Sequence, residues 1–269
     1  MTISRPGSWL GTLIYGPLLY AAGWLLTRPL ALVVPSLRAD QLDLGAALVA
    51  LGLLLLSLPS RLRHRWGVTA PWQALGVRPT SWQQLGQAIA AGAAEALLLL
   101  GPIVALMLMS GQARWQNQLD AGLTANALAL GIGVGFAEEL LFRGWLWGEL
   151  QTMVGPRPAQ LAQAAVFALV HPWGRHGLAG LPLLLGLLLL GLLLASRRRA
   201  DSGCLWGAVT LHGALVGGWF AIQQGGLACH ETAAGWLWGP GLPQPNPIGG
   251  LPGLVALAGL LLLSWGRGR

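Results

Sequence analysis

Lysine is absent from this chain, and all 16 of its basic residues are arginines. Charge of either sign is scarce, at 9% of residues. That scarcity excludes an ordinary soluble domain, in which about a quarter of the residues are charged. Only two cysteines occur, Cys204 and Cys229. They fall at opposite ends of one expected span, which excludes a disulfide between them. No internal repeat of fixed period is present, and no disordered tail of note. Apolar sequence fills the space instead. Hydrophobic residues make up 54% and the mean hydropathy is +0.60. Apolar runs recur along the whole length, so the chain reads as a polytopic membrane protein. The all-arginine usage, with 40 glycines and 14 tryptophans, suits a GC-rich bacterial genome and hence a bacterial inner membrane.

A net charge of +7 would suggest nucleic acid as the partner of a soluble protein. Here the arginines stand in short loops beside hydrophobic spans, so bilayer orientation explains them and no nucleic acid is expected. The N-terminal apolar stretch, Ser8 to Thr27, is too long for a signal peptide and no cleavage site follows it, so it is read as a first span. Eight spans are expected, at 8–27, 42–58, 85–109, 122–148, 159–173, 178–195, 203–222 and 249–265. With the N-terminus inside, eleven arginines face inward: Arg5, Arg61, Arg63, Arg65, Arg78, Arg157, Arg197, Arg198, Arg199, Arg267 and Arg269. Four face outward, Arg28, Arg38, Arg114 and Arg175, so the pattern favours N-in and C-in. Tryptophans at the expected inner ends (Trp145, Trp147, Trp206, Trp265) and outer ends (Trp24, Trp115, Trp173, Trp219) agree with it. The expected architecture is an all-α membrane bundle in three parts. Residues 1–121 supply N-terminal transmembrane helices, 122–222 a catalytic core, and 223–269 an external loop and the last transmembrane helix.

Chemistry is concentrated in Glu138-Glu139-Leu140-Leu141-Phe142-Arg143, inside the fourth span. Each ionised side chain at bilayer depth costs roughly 2.5–3.5 kcal/mol on insertion scales, so the run is a functional-site candidate. Glu139 and Arg143 are four residues apart and can pair on one helix face. Glu138 is rotated by about 100° and points elsewhere. A structural salt bridge needs only one acid, so the second asks for a further role. His171, ending the fifth span, and His212, in the seventh, lie at matching depth, on the order of 14–18 Å from the inner end. An acid and two imidazoles at one level can hold and activate a water. A lone helical histidine is commonly a hydrogen-bonded core residue, and that reading stays open for each alone. Glu95 in the third span is a further buried acid that can neutralise Arg143 or enter the site. His64, among Arg61, Arg63 and Arg65, reads as part of a lipid-headgroup patch. Glutamate and histidine are also zinc-ligand types, and Glu139 offers a third ligand, but no HExxH spacing occurs. A divalent metal therefore remains an option without being required.

These segments resemble the CPBP family. That family comprises the type II CAAX prenyl endopeptidases, including the Rce1-like proteases, and the Abi or lysostaphin-resistance-protein-A-like bacterial proteins. The resemblance rests on EExxxR at Glu138–Arg143, FxxxH at Phe167–His171, and the later His212. It implies an intramembrane endopeptidase acting on a membrane protein or lipidated peptide, with no cofactor beyond the possible metal. Glu138 and His171 would activate the water, His212 would stabilise the oxyanion, and Glu139 with Arg143 would brace the helix. One position departs from the pattern. The family's third motif is HxxxN or HxxxD, and this chain has Val216, which neither donates nor accepts a hydrogen bond. Trp219, seven residues after His212, offers its indole N–H as a substitute. Val216 supports a second reading, a silent relative acting as a membrane immunity, chaperone or assembly factor. A transporter with a carboxylate proton relay is a third class, disfavoured by the lack of repeat symmetry and of paired broken helices.

Overall fold

A computed structural model describes residues 8–230 and 232–266 of the chain. Arg5, Arg267 and Arg269, three of the arginines behind the expected orientation, lie outside the described residues, as does the side chain of Trp265. After a short helical turn, Trp9–Leu13, come α1 (Tyr15–Thr27), α2 (Ala39–Trp66) and α3 (Trp82–Met109). Next follow the long α4 (Ala121–Val154), α5 (Pro156–Val170), α6 (Leu181–Ala200), α7 (Trp206–Ala221) and α8 (Leu251–Gly266). Two three-residue strands, β1 (Ala113–Trp115) and β2 (Leu227–Cys229), pair antiparallel with Arg114 opposite Ala228. The protein is therefore an all-α membrane bundle with almost no sheet. Among the described residues, four helical stretches are long and apolar enough to cross a membrane: Ala39–Trp66, Trp82–Met109, Ala121–Val154 and Pro172–Ala200. The shorter Leu251–Ser264 is also apolar.

Local chemistry sets the helix ends. Ser81 and Asp120 cap α3 and α4 by accepting the N–H groups of Gln84 (3.1 Å) and Leu123 (2.6 Å), which would otherwise be orphaned. Gly67, at φ +65°, closes α2 in the left-handed conformation that glycine adopts without strain. Gly155 and Pro156 separate α4 from α5.

Several expected boundaries shift for identifiable reasons. The first span is broken at Ile14. Helix α2 does not stop at Pro59 but runs on to Trp66, because Arg61, Arg65 and Trp66 all bind Glu149. Helix α6 continues through Arg197–Arg199, whose positive charges suit its C-terminal turn. The segment after α7 is structured: Trp219 and Gln223 donate to Pro245 O (3.0 and 2.8 Å), and Gln112 Oε1 receives Ala234 N–H and Trp238 Nε1–H (3.1 and 2.5 Å). Trp145 and Trp147 are buried in the protein core and do not face an interface.

Candidate active site

Three helices carry the site, and backbone contact between two of them sets its spacing. Gly131 and Gly135 of α4 face Gly213 and Gly217 of α7. A Cβ at Gly131 would lie 2.5 Å from the Gly213 carbonyl oxygen, and one at Gly135 would lie 2.9 Å from Gly213 Cα. Two GxxxG pairs thus let the helices touch backbone to backbone, which places Glu139 of α4 directly against His212 of α7. These glycines escaped the sequence reading, although the four-residue spacing of each pair was available to it.

Helix α4 changes pitch beside the charged residues. Leu140–Leu146 is a π-helical stretch, and Trp147 N–H reaches back five residues to Phe142 O. That bond passes over the Arg143 carbonyl, which an α-turn would have used. Arg198 Nη1, from the end of α6, donates to that carbonyl and so satisfies it. Such π-turns recur at functional sites. Arg198 also donates to Ala74 O (3.3 Å) and Gly203 O (3.2 Å).

Glu139 and Arg143 are both 0% exposed, with Arg143 Nη1 donating to Glu139 Oε1 at 2.7 Å. His212 Nδ1 donates to the same oxygen at 2.8 Å, a direction fixed because a carboxylate only accepts. The Arg143 guanidinium lies over the Phe167 ring, 4.1 Å from its centroid, a cation–π contact in a dry setting. Phe167 is fully buried and also touches Phe142 edge-on.

His171 is held by the end of α5. Pro172 disfavours helical backbone at the residue before it, and His171 accordingly turns extended, at φ −81° and ψ 154°. Its Nδ1 donates to the Phe167 carbonyl at 2.6 Å, an acceptor that the helix end leaves open. That bond commits Nδ1 and aims Nε2 at Glu138, whose Oε2 is 3.4 Å away. The same carboxylate oxygen is 3.9 Å from His212 Nε2. Glu138 and His171 keep 30% and 22% of their side chains exposed, in contrast to the sealed Glu139–Arg143 pair. They open on a cavity of about 410 Å³ bounded by α1, α2, α4 and the end of α5.

All five residues singled out from the sequence therefore meet. Glu138, His171 and His212 converge on one oxygen, and Glu139 and Arg143 stand behind them. Other expectations need correction. Glu95, expected either to neutralise Arg143 or to enter the site, has Arg197 Nη1 at 3.0 Å, and Arg197 also binds Asp201 at 2.7 Å. Trp219 spends its indole N–H on Pro245, so it does not replace the donor missing at Val216. Arg61 and Arg65 are not a free headgroup patch around His64. With Trp66 they surround Glu149, at 2.7, 3.1 and 2.9 Å. Among the described residues, no group of three or more His, Cys, Asp or Glu side chains has the arrangement to hold a metal ion.

Residues 120–217 match the family model described as type II CAAX prenyl endopeptidase Rce1-like, and residues 2–70 match a domain of unknown function (DUF8676). No curated protein and no solved structure matches the chain.

Proposed function

Because residues 120–217 belong to the Rce1-like type II CAAX prenyl endopeptidase family, we propose that the chain is an intramembrane endopeptidase in which Glu138 and His171 activate a water. The observation that carries this reading is the meeting of Glu138 Oε2 with His171 Nε2 (3.4 Å) and His212 Nε2 (3.9 Å) at the foot of a cavity. The water sits against the cavity-facing edge of the Glu138 and His171 side chains, and Glu138 takes its proton as the oxygen attacks the substrate carbonyl carbon. The resulting oxyanion faces His212, whose Nδ1–H is given to Glu139, so that the ring donates from Nε2 as the imidazolium. A preorganised donor of this kind is worth about 10²–10³ in kcat. Collapse breaks the C–N bond, and the proton held by Glu138 goes to the departing amine. Arg143 offsets the charge of Glu139, and Glu139 fixes the angle of the His212 ring through its Nδ1–H.

In this reading α1 to α8 cross a bacterial inner membrane, with both termini inside. Residues 122–222 form the catalytic core. The substrate is a membrane protein or lipidated peptide.

A test compares wild type, Glu138→Ala and His171→Ala, purified and reconstituted, on a prenylated peptide and on a generic membrane peptide. Cleavage by the wild type alone is expected. Equal inactivity of all three on both peptides would sink the reading. Val216 supports a second one, a silent family member that binds a membrane partner, and the commitment of Trp219 to Pro245 adds to its weight.

A further inference from the structure

A π-turn takes up about one residue more than an α-turn, so it rotates the helix beyond it by about 100°. In α4 the stretch Leu140–Leu146 lies between two acids that serve different neighbours. Glu139 meets His212 of α7, and Glu149 meets Arg61 and Arg65 of α2. Glu149 follows Glu139 by ten residues. Unbroken α-helix would leave the two acids about 80° apart, whereas the extra residue sets them about 180° apart. The turn therefore lets one helix present Glu139 to α7 and Glu149 to the opposite side.

That rotation leaves the Arg143 carbonyl without a partner in its own helix, and a buried carbonyl left unpaired would disfavour the turn. Arg198 supplies the donor. Its three side-chain bonds all go to backbone carbonyls, those of Arg143, Ala74 (3.3 Å) and Gly203 (3.2 Å). The segments that carry the last two are fixed to each other. Leu205 N–H donates to Gly76 O at 2.9 Å, and Trp206 Nε1–H donates to Val77 O at 2.8 Å. A Cβ at Gly76 would lie 2.0 Å from Gly203 O. Anchored there, the guanidinium reaches α4 at the one residue whose own side chain pairs with Glu139, at 2.7 Å. Glu139 in turn holds His212.

We propose that Arg198 is a positioning residue for the hydrolytic centre, holding the π-turn that sets Glu139, and through it His212, at its angle. The inference rests on the hydrolase reading for its effect on kcat, and a spectroscopic readout separates the two. A cavity of about 370 Å³, with Trp66, Gly144, Gly148 and Thr152 in its walls, reaches Arg198. It gives a small cation a way in when that side chain is cut back. Wild type, Arg198→Ala and Arg199→Ala are reconstituted in nanodiscs. Hydrolysis of a prenylated peptide and of a generic membrane peptide is measured with and without millimolar ethylguanidinium. Phe142–Arg143 is the single Phe–Arg pair of the chain. Carbonyl-labelled phenylalanine with nitrogen-labelled arginine therefore isolates the Arg143 amide in solid-state NMR.

Arg198→Ala is expected to lower kcat by about tenfold to a hundredfold, as displaced catalytic groups do, with KM within about twofold. It is also expected to shift the Arg143 amide signal, and ethylguanidinium to restore both. Arg199→Ala, at an exposed position of the same helix end, is expected to change neither. Arg198→Lys, which keeps the charge but loses the planar fork, replaces the alanine variant if that one does not fold, with the same directions expected. An Arg143 signal that stays in place overturns the proposal. A shifted signal with wild-type kcat does so too, because the turn would then not govern the site. A signal that shifts and is restored, in a chain whose wild type cleaves neither peptide, leaves Arg198 assigned to the turn and removes the hydrolase reading.

Discussion

Adjacent glutamates receive opposite environments, and this separates their expected phenotypes. Glu138 borders the cavity, while Glu139 is sealed between Arg143 and His212. Glu138→Gln is therefore expected to abolish hydrolysis while leaving the melting temperature nearly unchanged. Glu139→Gln leaves a buried guanidinium uncompensated, a loss of about 3–5 kcal/mol, which thermal unfolding in one detergent will register. The reverse pattern would refute the division of roles. Val216 offers a gain-of-function test. It lies one turn beyond His212 on the same face, so Val216→Asn restores the donor that the family pattern carries there. A rise in kcat of about tenfold or more, within the range of one oxyanion donor, is expected, and unchanged or lower kcat would show that the position supplies none. At this scale much was legible, because an acid pair and two histidines are costly in apolar segments and stand out. The partners of Glu95 and Glu149 were not legible. Arg61 and Glu149 are 88 positions apart, and nothing local to either residue names the other.

Helices were legible as apolar stretches, but their ends were not. Pro59 reads locally as a stop, yet the bonds from Arg61, Arg65 and Trp66 to Glu149 carry α2 past it. The π-turn at Leu140–Leu146 has no residue signature, since it depends on Arg198 reaching the freed carbonyl of Arg143. The α4–α7 crossing was legible in principle through its paired glycines. It yields a prediction that belongs to elements, because a methyl group there moves whole helices. Gly213→Ala places a Cβ 2.5 Å from the Gly131 carbonyl oxygen, and the helices must separate by several tenths of an ångström. Glu139 and His212, now 2.8 Å apart, would lose that bond first. We expect at least a tenfold fall in kcat with the helical circular dichroism intact. Gly259→Ala, where nothing lies within 4 Å of the added Cβ, is expected to change neither.

The ends of the helices sort themselves by charge across the whole molecule. Arg61 and Arg65 meet Glu149 near the end of α4. Arg198 reaches Ala74, Arg143 and Gly203, and Trp206 Nε1 donates to Val77 O at 2.8 Å. The ends of α2, α4 and α6, the start of α7 and the 74–78 connection therefore share one end of the bundle, and most of the arginines counted as inner are there. At the opposite end, β1 with Arg114 pairs with β2, and Gln112 binds the Gly235–Trp238 turn. Arg28 there finds its countercharge in Asp43, within the α1–α2 pair. Arginine bias between short loops is what orients such a bundle during insertion, so the arginine-rich end should face the cytoplasm. The check uses a chain whose Cys204 and Cys229 are replaced and which carries one new cysteine at a time, at exposed Arg63 or at exposed Trp236. An impermeant maleimide applied to intact cells should label the cysteine at 236 and spare the one at 63 until the membrane is opened. Labelling in the opposite order would invert the bundle and put Glu149, with the arginines that hold it, on the outer face.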